Sequence, residues 1–185
     1  MRLFLLRLFA ALACLGFFSL PRISSQSKPD QPGKPNFNGT WTLDRKTSTS
    51  IEPLMKDIGA SFFERLYANT AGLKATFEQT EDALTVATRG PGFALDETLY
   101  LNGQTVPSDL EILGATSVNV RTAWSNDYQE LVETRQIKTR HGKDGQLTIR
   151  RHLLDEGKTL VVAFTLKLNS EPQAIVVRQL WRKQV

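Results

Sequence analysis

From Leu73 to the end of the chain, apolar side chains recur at every second position in run after run, and this period of two constrains the fold most. The runs fall at 73–79, 83–88, 94–101, 104–108, 117–124, 129–138, 146–154, 159–168 and 174–182. Turn signals separate most of them: Glu81-Asp82, Gly90-Pro91-Gly92, Asn102-Gly103, Asn126-Asp127, Gly142 to Gly145, and Asp155-Glu156-Gly157. The weakest alternation lies between 107 and 116. An earlier run, 37–43, makes ten strands.

Only the stretch between the first two runs breaks that period. Ile51, Leu54, Met55 and Ile58 fall at i, i+3, i+4 and i+7, one face of a helix, with Ser50 placed to cap it and Gly59 to end it. Phe62 and Phe63 recur at Leu66 and Tyr67, which predicts a second short helix with Asn69 at a left-handed cap. Antiparallel strands with one apolar face and no covering helices need closure, because open edges pair with other chains. The expected fold is therefore all-β: a ten-stranded antiparallel up-and-down β-barrel with a helix-turn-helix lid between the first and second strands. A barrel of that size leaves a cavity for one small ligand.

The N-terminus reads differently. Arg2 and Arg7 precede the apolar run from Leu8 to Leu20, and Pro21 ends it before Ser24-Ser25. This is the layout of a secretory signal peptide over residues 1–25, too short for a membrane span, and it implies a secreted or periplasmic protein. Ala11-Leu12-Ala13-Cys14 offers a competing reading, a lipoprotein anchored through Cys14. Residues 26–36 hold three prolines and no large apolar side chain and read as a disordered linker, leaving 37–185 as the barrel domain.

Composition excludes several functions. Of 23 basic residues, three lie in residues 1–25, leaving 20 against 19 acidic ones. A near-neutral domain has no broad electrostatic attraction for nucleic acid. One cysteine and two histidines supply neither a disulfide framework nor a metal cage. No Ser-His-Asp spacing and no Gly-x-Ser-x-Gly elbow is present, so neither an enzyme nor a cofactor is expected.

One charge sits oddly in the pattern. Arg151 shares its strand face with Leu147, Ile149 and Leu153, and the next run aligns Leu160, Val162, Phe164, Leu166 and Leu168. A guanidinium inside a barrel needs a partner, either a ligand carboxylate that fits its planar fork or a glutamate of the barrel. Arg178 admits two registers. Ala174, Val176, Arg178 and Leu180 point inward in one; Ile175, Val177 and Trp181 do so in the other.

The order of elements and several residue strings resemble the fatty-acid-binding proteins of the calycin superfamily. Phe37-Asn38-Gly39-Thr40-Trp41 is similar to that family's opening strand. Met55-Lys56-Asp57-Ile58-Gly59, followed by Phe62, Arg65, Ala68 and Asn69, is similar to its helix pair without a gap, and Leu147-Thr148-Ile149-Arg150-Arg151 to its eighth strand. The resemblance spans about residues 37–182. It implies a carboxylate clamp of two arginines and a tyrosine, here Arg151 and Arg178 with Leu180 where the tyrosine is expected. It also implies that Ile51, Met55, Ala60 and Ala68 line a portal, and that Lys56 and Arg65 touch a membrane surface. Trp41 is expected in the barrel floor.

Together these readings predict a monomeric, secreted or envelope lipid-binding protein. It would hold a hydrophobic small molecule, a fatty acid or similar carboxylate, against Ile149, Val162, Phe164 and Arg151. The alternative is a lipocalin-like interaction protein with a filled interior, acting through an exposed patch of Ile175, Val177 and Trp181.

Overall fold

The structure, a computed structural model, describes residues 33–184. The expected signal peptide, Cys14 and most of the linker lie outside them. Strand β1 (Gly39–Asp44) leads to helices α1 (Glu52–Asp57) and α2 (Phe62–Thr70), and then β2 (Lys74–Gln79), β3 (Ala83–Gly90) and β4 (Phe93–Tyr100). Two short strands follow, β5 (Thr105–Pro107) and β6 (Glu111–Ile112), before β7 (Ala115–Trp124) and β8 (Leu131–Lys138). The chain ends in β9 (Asp144–Leu154), β10 (Thr159–Leu168) and β11 (Ile175–Lys183).

All strands join one curled antiparallel sheet in the order β4-β3-β2-β1-β11-β10-β9-β8-β7-β5, with β6 also on β7. The helix pair lies between the first and second strands, as expected. Two details differ. The expected strand 104–108 is a three-residue strand, and β6 is a separate two-residue strand that turns back onto β7 through Leu113 (φ +54°) and Gly114 (φ +96°). Among the described residues no ladder joins β4 to β5, β6 or β7, so the barrel wall is left with a seam there.

Alternation places the core. Leu131, Ile137, Leu147, Ile149, Leu160 and Leu166 are all buried on the inner face of β8, β9 and β10. Trp41 is fully buried, and its indole N–H donates to the Phe37 carbonyl at 2.9 Å. Phe37 in turn stacks on Trp124, with centroids 5.9 Å apart, so these rings form packed floor.

The helices divide their roles. α1 buries Leu54 and Met55, flanked by buried Ile51 and Ile58. Ser50 Oγ accepts from Glu52 N at 3.2 Å, although Ile51 holds the N-cap position. α2 opens on a capping box, with Ser61 Oγ accepting from Glu64 N while the Glu64 carboxylate accepts from Ser61 N. It buries no residue, and Phe62, Phe63 and Leu66 stay exposed. Its end also departs from expectation. Asn69 lies inside the helix, and Ala71 closes it in an extended conformation.

Candidate functional site

Under the helix pair lies an inner chamber of about 150 Å³, which shares Ala68, Leu73 and Phe93 in its lining with an outer one of about 570 Å³. The inner chamber alone falls below the ~300 Å³ at the low end of small-molecule sites, so a lipid-sized ligand would need both. Ile51 and Ala68 form its helical side, and Ile149, Val162 and Phe164 its sheet wall. Met55, Tyr67 and Phe63 line the outer chamber with Leu113 and Arg140. Ala60 is buried but borders neither.

Arg151 does point inward and lines the inner chamber, but it is not free. Its Nη1 donates to Glu133 Oε2 at 2.6 Å, so the barrel supplies the carboxylate that a ligand was expected to bring. The same glutamate pairs with Arg135, which also reaches Glu97 and donates to Ser117 Oγ at 3.3 Å. Glu133 and Arg135 have no exposed surface. Burial pushes the Glu133 carboxyl up, but the charges of Arg151 and Arg135 outweigh it and hold its pKa below the ordinary value. For Glu97 the balance reverses. Burial, with Glu133 beside it, raises its pKa against the pull of Arg135 and Arg151.

Arg178 and Leu180 are corrected. Arg178 is exposed on the outer face, because β11 takes the register that buries Val177, Gln179 and Trp181. Leu180 shares the outer face and does not reach the chamber. Gln179 and Trp181 stand there instead. The register that hides the large apolar groups wins, since exposing Val177 and Trp181 would forfeit about 1.5–3 kcal/mol each.

Four buried polar or charged residues of the inner face were therefore missed, Glu97, Glu133, Arg135 and Gln179, while Trp181 takes the inward position it had in one of the two expected registers. Glu133 and Arg135 were legible by the test that singled out Arg151, because they alternate with Leu131 and Ile137.

The mouth carries a second charge cluster. Arg140, on the turn after β8, donates to Glu64 of α2 and to Glu111 of β6, each at 2.6 Å. The Arg140 hydrogen bond, helped by Ser61, lowers the Glu64 pKa from 4.5 to about 2. Arg65 is engaged elsewhere, donating to the Ala60 carbonyl at 2.7 Å and lying 3.7 Å from Glu52. Lys56 is exposed.

A curled meander of about ten strands, lidded by two helices inserted after the first and hollow beneath them, decides the comparison. The fold is that of the fatty-acid-binding proteins. Apo Caenorhabditis elegans lipid binding protein 8 matches at a TM-score of 0.61 and 14% identity, over 80% of this chain and 95% of that one. Human cRBP IV matches at 0.58 and 20%, over 81% and 99%. Echinococcus granulosus fatty-acid-binding protein 1 matches at 0.58 and 14%, over 80% and 98%. No protein-family model matches the chain, and no curated protein matches it in sequence. The likeness to the fatty-acid-binding-protein fold is thus one of architecture.

Proposed function

We propose that this protein is a non-catalytic carrier that holds a hydrophobic small molecule of the lipid class in the two chambers beneath its helix pair. The observation that carries the reading is the largely apolar hollow between Ile51, Ala68, Val162 and Phe164, with a second chamber beside it across Ala68. Solved structures of this architecture named for lipid or fatty-acid binding support it. A tail of about 14–16 carbons contributes roughly 11–13 kcal/mol gross at ~0.8 kcal/mol per methylene, and ordering costs several of these. The surface-acting alternative loses the patch assigned to it, since Val177 and Trp181 are buried.

Export across a membrane, to a secreted or periplasmic location, is part of the proposal and rests on residues 1–25. So is a transient membrane-surface contact, for which Lys56 with exposed Phe62, Phe63 and Leu66 is better placed than the engaged Arg65.

The deciding experiment titrates the purified full chain with N-phenyl-1-naphthylamine, a neutral apolar fluorophore. Saturable fluorescence is expected, displaceable by a sixteen-carbon lipid and lost in Ala68→Trp, which fills the junction of the chambers. Absence of saturable binding would overturn the reading.

A further inference from the structure

The seam beside β4 is crossed from within. No ladder joins β4 to β5, β6 or β7, and among the described residues the pair of Glu97 with Arg135 is the one side-chain tie from β4 to the strands beyond. Arg135 stands on β8 and reaches Glu97 across the inner face of β7, where it also donates to Ser117 Oγ at 3.3 Å. Its other partner is Glu133, which Arg151 of β9 grips at 2.6 Å. The free edge of β4 is thus pinned by one charge-assisted hydrogen bond at the end of a chain of charges.

The pin sits beside the hollow. Leu95 and Glu97 of β4 face Ile112 and Leu113 across the seam, and all four line the inner chamber. Leu95, Ile112 and Leu113 line the outer one as well. Parting β4 from β6 therefore widens both chambers. An edge without ladder hydrogen bonds is also the part of a wall that opens most readily.

Within the network Glu97 is the carboxylate that takes a proton first. Burial and the neighbouring Glu133 raise its pKa, whereas the two arginines hold that of Glu133 down. The charged groups facing Glu97 are Arg135 and Glu133 from β8 and Arg151 from β9. β3 sets Val86 opposite it, and α2 and β6 bring Ala68 and Ile112 to the same chamber. His141 and His152 line neither chamber. A protonated Glu97 still accepts from Arg135, but the neutral bond is roughly half as strong as the charged one. Because the folded pKa is raised, that proton binds the folded chain more tightly than the unfolded one, and its uptake favours the fold. We propose that the Glu97–Arg135 pair is an acid-released latch on the seam: protonation of Glu97 frees the edge of β4, and the bound molecule leaves faster in acid. The latch rests on the carrier reading above.

Its test uses N-phenyl-1-naphthylamine because a neutral probe leaves the protein's own titration as the variable. The loaded full chain is diluted rapidly at pH 8 and at pH 5, and the release rate is read from the fluorescence decay. Release is expected to quicken by about tenfold at pH 5, the difference between a charged and a neutral hydrogen bond, with the β-sheet circular dichroism unchanged. Glu97→Gln, which fixes the neutral state, should release at the fast rate at both pH values. If that variant does not fold, amide exchange in the unaltered chain decides: corrected for intrinsic rates, it should rise along β4 at pH 5 and not along β10. Equal release at both pH values in the unaltered chain, a pH dependence surviving Glu97→Gln, or quickened release with loss of the β-sheet signal overturns the latch while the carrier reading stands. Failure of the fluorophore to saturate at pH 8 removes the carrier reading itself.

Discussion

Arg135 is the residue whose loss the fold should feel most. Its guanidinium is wholly enclosed and serves Glu133, Glu97 and Ser117 at once, so Arg135→Met strands Glu97 and leaves Glu133 with Arg151 alone. Breaking a buried pair from one side costs about 3–5 kcal/mol, and the midpoint of urea unfolding should fall accordingly. Replacing Arg135, Glu133, Glu97 and Arg151 together by apolar residues of similar size should recover much of that loss, because no charge is then left unpaired. Alternation is enough to put Arg151 inside and to allow it a barrel glutamate as partner, but not to say which glutamate. Glu133 and Arg135 sit two residues apart in a strand whose other face is also partly polar, Thr134 and Gln136, and so read as a wet face. The β11 register had the opposite difficulty. The resemblance drew Arg178 inward, while the burial of Val177 and Trp181 turned it out.

Among elements, α2 is held with few buried contacts, so its polar ties carry unusual weight. The Glu64–Arg140 pair joins it to the turn after β8, and Ser61 caps it. Because the folded pKa of Glu64 is depressed, its contribution is present above 4.5 and fades as pH falls toward about 2. Amide hydrogen exchange in α2 should therefore accelerate over that interval, beyond the intrinsic pH trend, and Arg140→Gln should remove the extra acceleration. Ser61→Ala should cost about 1 kcal/mol of stability, measurable by thermal unfolding. At the start of β9, a Cβ on Gly145 would lie 2.8 Å from both the Lys167 carbonyl and Leu168 Cδ2. Gly145→Ala should thus lower stability by about 1–3 kcal/mol in the same assay. Period two and period 3.6 made the long strands and both helices readable. They gave no warning of β6, whose turn puts a leucine in the left-handed region, where sequence rules look for glycine or asparagine.

At the scale of the molecule, the sheet order makes neighbours of strands far apart in the chain. β1 pairs with β11, Trp41 opposite Lys183, and the segment before α1 hydrogen-bonds the same strand, Thr49 N to the Arg178 carbonyl at 2.8 Å. Contacts of such separation slow folding. The up-and-down order could be read because most neighbours are adjacent runs; the seam beside β4 could not, since no local pattern records which strands fail to meet.

The β1–β11 ladder has a consequence for biosynthesis. While a ribosome is still adding the final segment, β1 and β10 both present raw backbone edges and the hollow has no finished wall. The wall of the hollow is therefore incomplete in a nascent chain until translation has delivered β11. A stop codon a dozen residues early would yield an adhesive ribbon rather than a slightly shortened container.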